Sequence, residues 1–335
     1  MAMDAKQIYK NFQSLTRETD ADNAFNVLTL PGSQHKLGVS NEGYPMFFVK
    51  TSAEKPDVHD MHLDIFTVEY NQKCTLKEQG QDISTDVYSI LTLQNSDEPL
   101  QRYFIEISLL ILEKLREVPS RRELSTQIDD LVAIFTALRE KGKKTVQGLW
   151  AELLVIEKSL HPEVLINAWH NAPKAKYDFT LGYDKLEVKS TSGDERVHHF
   201  KIDQLLPSEH SNLLIASVFV RESGAGLGGL CIMDLYDKIC SRVTNIDSRL
   251  KIQKVMGETI GNDYSKLNSE FFDYVTAGDT LAFYDAINIP HIEREHVPAT
   301  VTKVEFDCNI SGVLDIKSDP TGKDYSACPL YRSLF

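Results

Sequence analysis

The sequence lacks paired cysteines. Its five cysteines are scattered, without a CxxC pair or a Cys/His ligand spacing: Cys74, Cys231, Cys240, Cys308 and Cys328. An odd and dispersed set of this kind argues against a disulfide framework and against a structural zinc site. We therefore expect reduced, mostly buried thiols, as in a cytoplasmic protein.

Long hydrophobic runs are also missing. The strongest, 107–112 and 213–220, are far shorter than the roughly 20 residues that span a bilayer. Residues 1–15 mix Asp, Lys and Asn, so they lack the apolar centre of a signal peptide. We expect a soluble protein that stays in the cytoplasm and has no membrane partner.

Positive charge is scarce. Lys and Arg number 36 against 49 Asp and Glu, a formal net charge of −13. This balance argues against a surface coated with basic side chains for non-specific nucleic-acid binding. A nucleic-acid enzyme with a basic rim around one cleft remains compatible with it. The GxGxxG pattern at 224–229 lacks the βαβ context of a dinucleotide site, and a P-loop motif is absent.

The length of 335 residues and the 42% hydrophobic content predict a globular protein of two or three units. Residues 1–120 form a β-rich N-terminal domain in this interpretation, 121–245 an α/β core, and 246–335 a C-terminal extension. The expected N-terminal strands are rich in aromatic and β-branched residues and lie at 44–50, 62–70, 87–93 and 103–110.

The predicted core alternates helices and strands. Apolar residues at helical spacing indicate helices over 124–138 and 145–159, followed by a hairpin (177–181 and 185–190), a helix (199–206), a buried strand (212–220) and a helix (230–243). Between the first two helices lies a basic cluster that includes Lys143 and Lys144. It is either a solvated helix end or a contact for substrate phosphate.

The hairpin carries the chemically informative residues. With Tyr183 and Asp184 as the turn, Asp178 lies opposite Lys189 and Thr180 lies opposite Glu187. Because side chains alternate along a strand, Asp178, Glu187 and Lys189 then share one face, while the apolar residues between them share the other. A slip of one residue would bury the charges.

Two carboxylates and a lysine on one sheet surface suit metal-assisted hydrolysis. Asp178 and Glu187 offer the oxygen ligands that Mg²⁺ prefers, and Lys189 can orient an attacking water and offset developing charge on a phosphate. The spacing alone is equally compatible with an ordinary exposed hairpin that carries cross-strand ion pairs.

The pattern Asp178…Glu187-Val188-Lys189 resembles the PD-(D/E)xK signature of restriction-endonuclease-like nucleases. The longer runs 176–191, 148–152 and 283–286 resemble a bacterial family of PD-(D/E)xK proteins associated with restriction and phage-defence gene clusters. The chain departs from the signature at Tyr177, which replaces proline. The resemblance implies an α/β, restriction-endonuclease-like core, a mixed sheet flanked by helices.

The resemblance also implies further site residues and partners. Glu152 matches an acid that joins the metal shell, although a solvent-facing helix glutamate is the alternative, and Gln204 matches a polar position near the water. The expected cofactor is Mg²⁺, with Mn²⁺ as a substitute, and the expected substrate is DNA. Expected protein partners are a second copy of the chain, a methyltransferase or a helicase-like ATPase. A catalytically silent DNA-binding or scaffold subunit is the alternative function, and RNA is not separated from DNA.

Overall fold

The structure is a computed structural model that describes residues 4–17, 24–52, 58–170, 175–208, 210–318, 324–325 and 327–335. The chain forms two compact units, Met1–Lys141 with Gly261–Ser265, and Gly142–Ile260 with Lys266–Phe335. The domain boundaries expected after residues 120 and 245 stay predictions. Within the described residues, none of the helices has both the length and the apolar character to cross a membrane.

The first unit combines a sheet with three helices. Its elements are α1 (Ala5–Gln13), β1 (Phe25–Thr29), β2 (Lys36–Val39), β3 (Pro45–Val49), β4 (Met61–His62), β5 (Phe66–Glu78), β6 (Ser84–Leu93), α2 (Glu98–Lys114) and α3 (Arg121–Ala137). The strand order is β1-β2-β3-β6-β5-β4, and β1 also pairs in parallel with β5. That additional pairing joins five of the strands into a closed ring, which removes two exposed sheet edges.

The strand predicted at 103–110 is wrong, because these residues lie inside helix α2. Their aromatic and β-branched character favours a strand locally, but they belong to a largely apolar helix that is buried on most sides, including all of residues 107–112. Phe104 packs against Phe47 and Phe66, with ring centroids 5.6 and 5.8 Å apart. Pro99 lies in the first turn of α2, where proline favours the beginning of a helix. The strand prediction did not take it into account.

The second unit contains residues 142–245 of the predicted core and most of the C-terminal residues, whereas α3 lies in the first unit. Its elements are α4 (Val146–Lys158), α5 (Pro162–Ala168), β7 (Phe179–Leu181), β8 (Asp184–Thr191), β9 (Val197–Lys201), α6 (Ile202–Leu205), β10 (Asn212–Phe219), β11 (Gly229–Leu230), α7 (Ile232–Cys240), α8 (Ile246–Ile260), β12 (Phe272–Asp273), α9 (Tyr274–Thr280), β13 (Ala282–Asp285), β14 (Glu305–Asn309) and α10 (Pro329–Arg332).

A four-stranded mixed sheet organises this unit. Its order is β13-β10-β8-β7, with a parallel β8–β10 pair between two antiparallel pairs. Helices α4 and α10 contact β8, α5 contacts β7, and α9 contacts β10. The mixed α/β class expected from the sequence is therefore confirmed.

Helix α4 is an interior helix. The Thr145 hydroxyl accepts a hydrogen bond from the Gly148 amide at 3.1 Å, which caps the first turn. Leu149, Trp150 and Leu153 are completely buried, as are residues on the other faces of the helix. A helix that is apolar all round must be enclosed by its neighbours. Any polar side chain on it, including Glu152, is therefore carried into the interior.

The helix predicted over 199–206 is wrong in its first half. Residues Val197–Lys201 form strand β9, which pairs antiparallel with β14, and only Ile202–Leu205 is helical. Burial alternates along β9, with His198 and Phe200 inside. The partner strand lies about a hundred residues away in the sequence, and local spacing does not reveal such a pairing.

Candidate active site

The hairpin exists, but its register differs from the predicted one. Phe179 pairs with Leu186, Thr180 with Lys185 and Leu181 with Asp184, so the turn residues are Gly182 and Tyr183. The assignment of Tyr183 and Asp184 to the turn was wrong. Gly182 has φ 57 at the first central position, which a two-residue hairpin turn commonly fills with glycine.

The register error amounts to two residues, so it leaves the two faces of the hairpin unchanged. Phe179 and Leu186 are fully buried as a pair on one face. Glu187 and Lys189 point to the opposite face, because side chains alternate along β8. Asp178 joins them from the residue before β7, where its Oδ2 accepts a hydrogen bond from the Val188 amide at 2.8 Å.

Glu152 reaches this face from helix α4. Its side chain is 3% exposed, so the solvent-facing alternative is wrong. One carboxylate oxygen accepts a hydrogen bond from Trp169 Nε1 at 2.7 Å and lies 2.9 Å from His170 Nε2. These contacts fix the orientation of the carboxylate beside Asp178.

His170 is a site residue that the sequence reasoning missed. Its backbone has φ 42, and its amide donates to the Asp178 carbonyl at 2.9 Å, which holds it beside the start of the hairpin. One ligand atom from each of Glu152, His170 and Asp178 lies within 4.8 Å of the others. The sequence offers no spacing motif for this group, because folding brings its members together from separate segments.

Of the neighbouring residues Lys143 and Lys144, Lys144 contacts the carboxylates of Glu152 and Asp178. The Lys144 ammonium lies 2.5 Å from Glu152 Oε1 and also bonds to Asp178 Oδ1. The Lys143 side chain is exposed, and its amide donates to the Thr259 carbonyl at 2.8 Å. A role for Lys143 in substrate binding stays a prediction.

Gln204 connects the remaining pair of site residues. The Lys189 ammonium lies 3.0 Å from Glu187 Oε1, and the Gln204 amide donates to the same oxygen at 2.6 Å. Gln204 Oε1 accepts from Lys189 Nζ at 3.3 Å and from the Lys201 amide at 3.1 Å. Gln204 therefore holds the Glu187–Lys189 pair in one arrangement.

The electrostatics of the cluster favour an additional cation. Burial and the neighbouring Asp178 raise the pKa of Glu187 to about 8. Burial and Glu152 also raise the pKa of Asp178, against the opposing effect of Lys144. Burial disfavours the charged form of Glu152, yet Lys144 and His170 bring its pKa below the ordinary value. The raised pKa values of Asp178 and Glu187 show that burial and mutual repulsion oppose the charged forms of these carboxyl groups, and a bound divalent ion would favour those charged forms.

Glu187 leads to a prediction about pH. Its folded pKa of about 8 lies above the ordinary value of 4.5, so the folded protein retains a proton that the unfolded chain has released. The stabilisation from that proton is complete below pH 4.5 and is lost as the pH rises through 8. Each pH unit in this window removes up to about 1.4 kcal/mol.

We expect urea denaturation of the metal-chelated protein to show a falling free energy of unfolding from neutral pH to pH 8. The Glu187→Gln variant has no group to titrate at this position, so it should lack that part of the slope. Comparing the two proteins cancels the contributions of other titrating groups. Parallel slopes would contradict the raised pKa of Glu187.

The second unit is thus a mixed α/β protein unit with a buried carboxylate and lysine cluster on a hairpin. The chain belongs to the family described as "Putative PD-(D/E)XK family member, (DUF4420)", whose model matches residues 9–311. The match confirms the resemblance to a PD-(D/E)xK family, and the roles of the hairpin residues stay predictions. No curated protein and no solved structure matches the chain significantly.

Proposed function

We propose that this chain is a metal-dependent DNA endonuclease with a restriction-endonuclease-like core. The observation that carries the proposal is the convergence of Glu152, Asp178 and Glu187 with Lys189 on one face of the hairpin, in a chain that belongs to a PD-(D/E)XK family. The proposed reaction is hydrolysis of a phosphodiester bond by water.

The donor set suits a hard divalent cation. Asp178 and Glu187 would hold Mg²⁺ or Mn²⁺ through carboxylate oxygens, and Glu152 would complete the protein ligands with His170 beside it. Three buried carboxyl groups lie close together here, and a divalent ion would favour their charged forms against burial and mutual repulsion, which supports this assignment. When bound, such an ion supplies Lewis-acid activation of the phosphate and of a water molecule.

The side chains of the chain supply the remaining chemistry. Lys189 holds a positive charge next to Glu187, where it can orient the attacking water and offset charge on the phosphate. Gln204 limits the positions available to both groups through its paired hydrogen bonds. This preorganisation is the basis of the roles that we assign to Lys189 as a catalytic residue and Gln204 as a positioning residue.

A pocket of about 590 Å³ that is lined in part by the start of helix α6 supports a nucleic-acid substrate. Lys201, Arg294 and Lys303 line it, together with Asp203 and Glu305. Arg294 pairs with Asp203 at 2.5 Å, and Lys303 pairs with Glu305 at 2.9 Å. These largely exposed pairs are weak, so backbone phosphates can replace the acids as partners of the two cations.

The proposed setting is a cytoplasmic restriction or phage-defence system. It rests on the family resemblance of the sequence runs around the hairpin. One such centre cuts one strand at a time, so cleavage of both strands calls for a homodimer or for two nicking events. A methyltransferase and a helicase-like ATPase are the proposed partner subunits.

The proposal is tested by metal uptake and DNA cleavage together. We expect the purified protein to bind Mn²⁺ in titration calorimetry and to cut plasmid and linear DNA with Mg²⁺ or Mn²⁺. Asp178→Asn should lose metal uptake and cleavage. The neutral amide is a poorer ligand than a carboxylate, and its NH₂ group would replace one of the two oxygens that can face the ion. If the wild type neither takes up metal nor cuts DNA, the enzyme is rejected. That result would favour the silent DNA-binding or scaffold subunit.

A further inference from the structure

Lys144 occupies an unusual position among the acids of the site. Its ammonium contacts Glu152 Oε1 at 2.5 Å and Asp178 Oδ1, two oxygens that the proposed function assigns to a metal ion. Both carboxylates are almost completely buried, whereas the Lys144 side chain is 33% exposed. The chain therefore places one of its own cations between these two acids.

The lysine and a metal ion compete for the same place. An ion bound to Glu152 Oε1 at the roughly 2.1 Å typical of Mg²⁺ would lie less than about 5 Å from the Lys144 ammonium. Lys144 bonds to both Glu152 Oε1 and Asp178 Oδ1, so its ammonium takes the position between the two oxygens that a shared ion would need, and the two cations would also repel each other there. An ion held by these two oxygens is therefore excluded unless Lys144 moves away.

The surroundings allow Lys144 to move without disturbing its neighbours. It directly precedes Thr145, the N-cap of helix α4, and the amide of the adjacent Lys143 is anchored to the Thr259 carbonyl. The backbone is thus held, while a flexible four-carbon stem carries the ammonium at a partly exposed position. Rotation of this side chain alone takes the charge out to solvent.

We propose that Lys144 is a tethered cation that holds Glu152 and Asp178 together in the metal-free protein and is displaced when a divalent metal binds. This inference rests on the metal site of the proposed function. The ion pairs offset repulsion between the two carboxylates, and they also reduce the affinity for metal. Once displaced, Lys144 remains tethered beside the site, where it is available to a substrate phosphate.

The first test is Mn²⁺ binding to the full chain, measured by titration calorimetry. In the wild type, only the fraction of molecules with Lys144 displaced can bind metal, and the measured Kd is raised accordingly. We expect Lys144→Met to bind Mn²⁺ at least about tenfold more tightly than the wild type. Lys143→Met is the matched control and should not change the Kd. Equal or weaker binding by Lys144→Met would overturn the inference.

A second measurement uses the unaltered protein and does not depend on the variant folding. Amine acylation of the wild type, followed by mass spectrometry, reports the accessibility of individual lysines. We expect Mn²⁺ to increase labelling of Lys144 several-fold and to leave that of Lys143 unchanged. Unchanged or reduced labelling of Lys144 would reject displacement.

These results are separable from those that bear on nuclease activity. If metal increases the labelling of Lys144 in a protein that does not cut DNA, displacement of Lys144 is supported and the nuclease activity is rejected. If the protein cuts DNA and the labelling of Lys144 does not depend on metal, the nuclease activity is supported and displacement is rejected.

Discussion

Replacing Lys189 by alanine should reduce DNA cleavage by at least about 100-fold, the size expected when a preorganised charge is removed from a transition state. The Lys189 ammonium lies 3.0 Å from Glu187 Oε1, and the Lys189 side chain is 16% exposed. Solvent therefore has little access to replace its charge. Its removal leaves the proposed ligands Asp178, Glu187 and Glu152 in place. We therefore expect Lys189→Ala to retain Mn²⁺ binding while it loses cleavage.

Lys185→Ala is the matched control for this variant. Lys185 lies on the same strand and the same face as Lys189, four residues closer to the turn, and its ammonium donates to the Gly182 carbonyl at 2.5 Å. The two positions are about 13 Å apart along β8. Its loss should leave cleavage within a few-fold of the wild type. If both variants cut DNA like the wild type, Lys189 has no catalytic role.

The face of the hairpin could be predicted from the sequence, although its register could not. Alternation fixes which residues share a side, and any shift by two residues preserves that side. The turn determines the exact pairing, and Gly182 was overlooked as the residue that accepts a positive φ. Asp178, Glu187 and Lys189 therefore share a face in spite of the wrong pairing.

Local sequence patterns do not predict contacts between segments that are distant in the chain. Glu152 was chosen through the family resemblance, and its burial follows from an entirely enclosed helix, which an apolar α4 sequence indicates. His170 and Trp169 meet Glu152 only because the chain after α5 pairs with the start of the hairpin. The strand β9 similarly depends on β14, far along the chain. In each case, tertiary pairing decides the outcome.

Glu152 is the residue whose conservative replacement should destabilise the protein most. Its pKa lies below the ordinary value in spite of complete burial, so its surroundings favour the carboxylate over a neutral group. One oxygen receives the Trp169 indole and faces His170, and the other receives the Lys144 ammonium. A glutamine must turn its NH₂ group toward one of these donors, which leaves a buried donor without an acceptor.

We expect Glu152→Gln to lower the free energy of unfolding of the metal-free protein by about 3 kcal/mol, as when one partner of a buried ion pair is removed. Glu157→Gln is the control on the same helix. Its carboxylate accepts a hydrogen bond from the Tyr274 hydroxyl at 2.9 Å and lies 3.8 Å from the partly exposed Lys158 ammonium. A glutamine oxygen can accept that bond equally well, so the cost there should stay below about 1 kcal/mol. Urea denaturation at neutral pH with chelator measures both variants. Equal small costs would show that the Glu152 carboxylate is not the centre of a charged network, and the assignment of Lys144 as its internal cation would lose its basis.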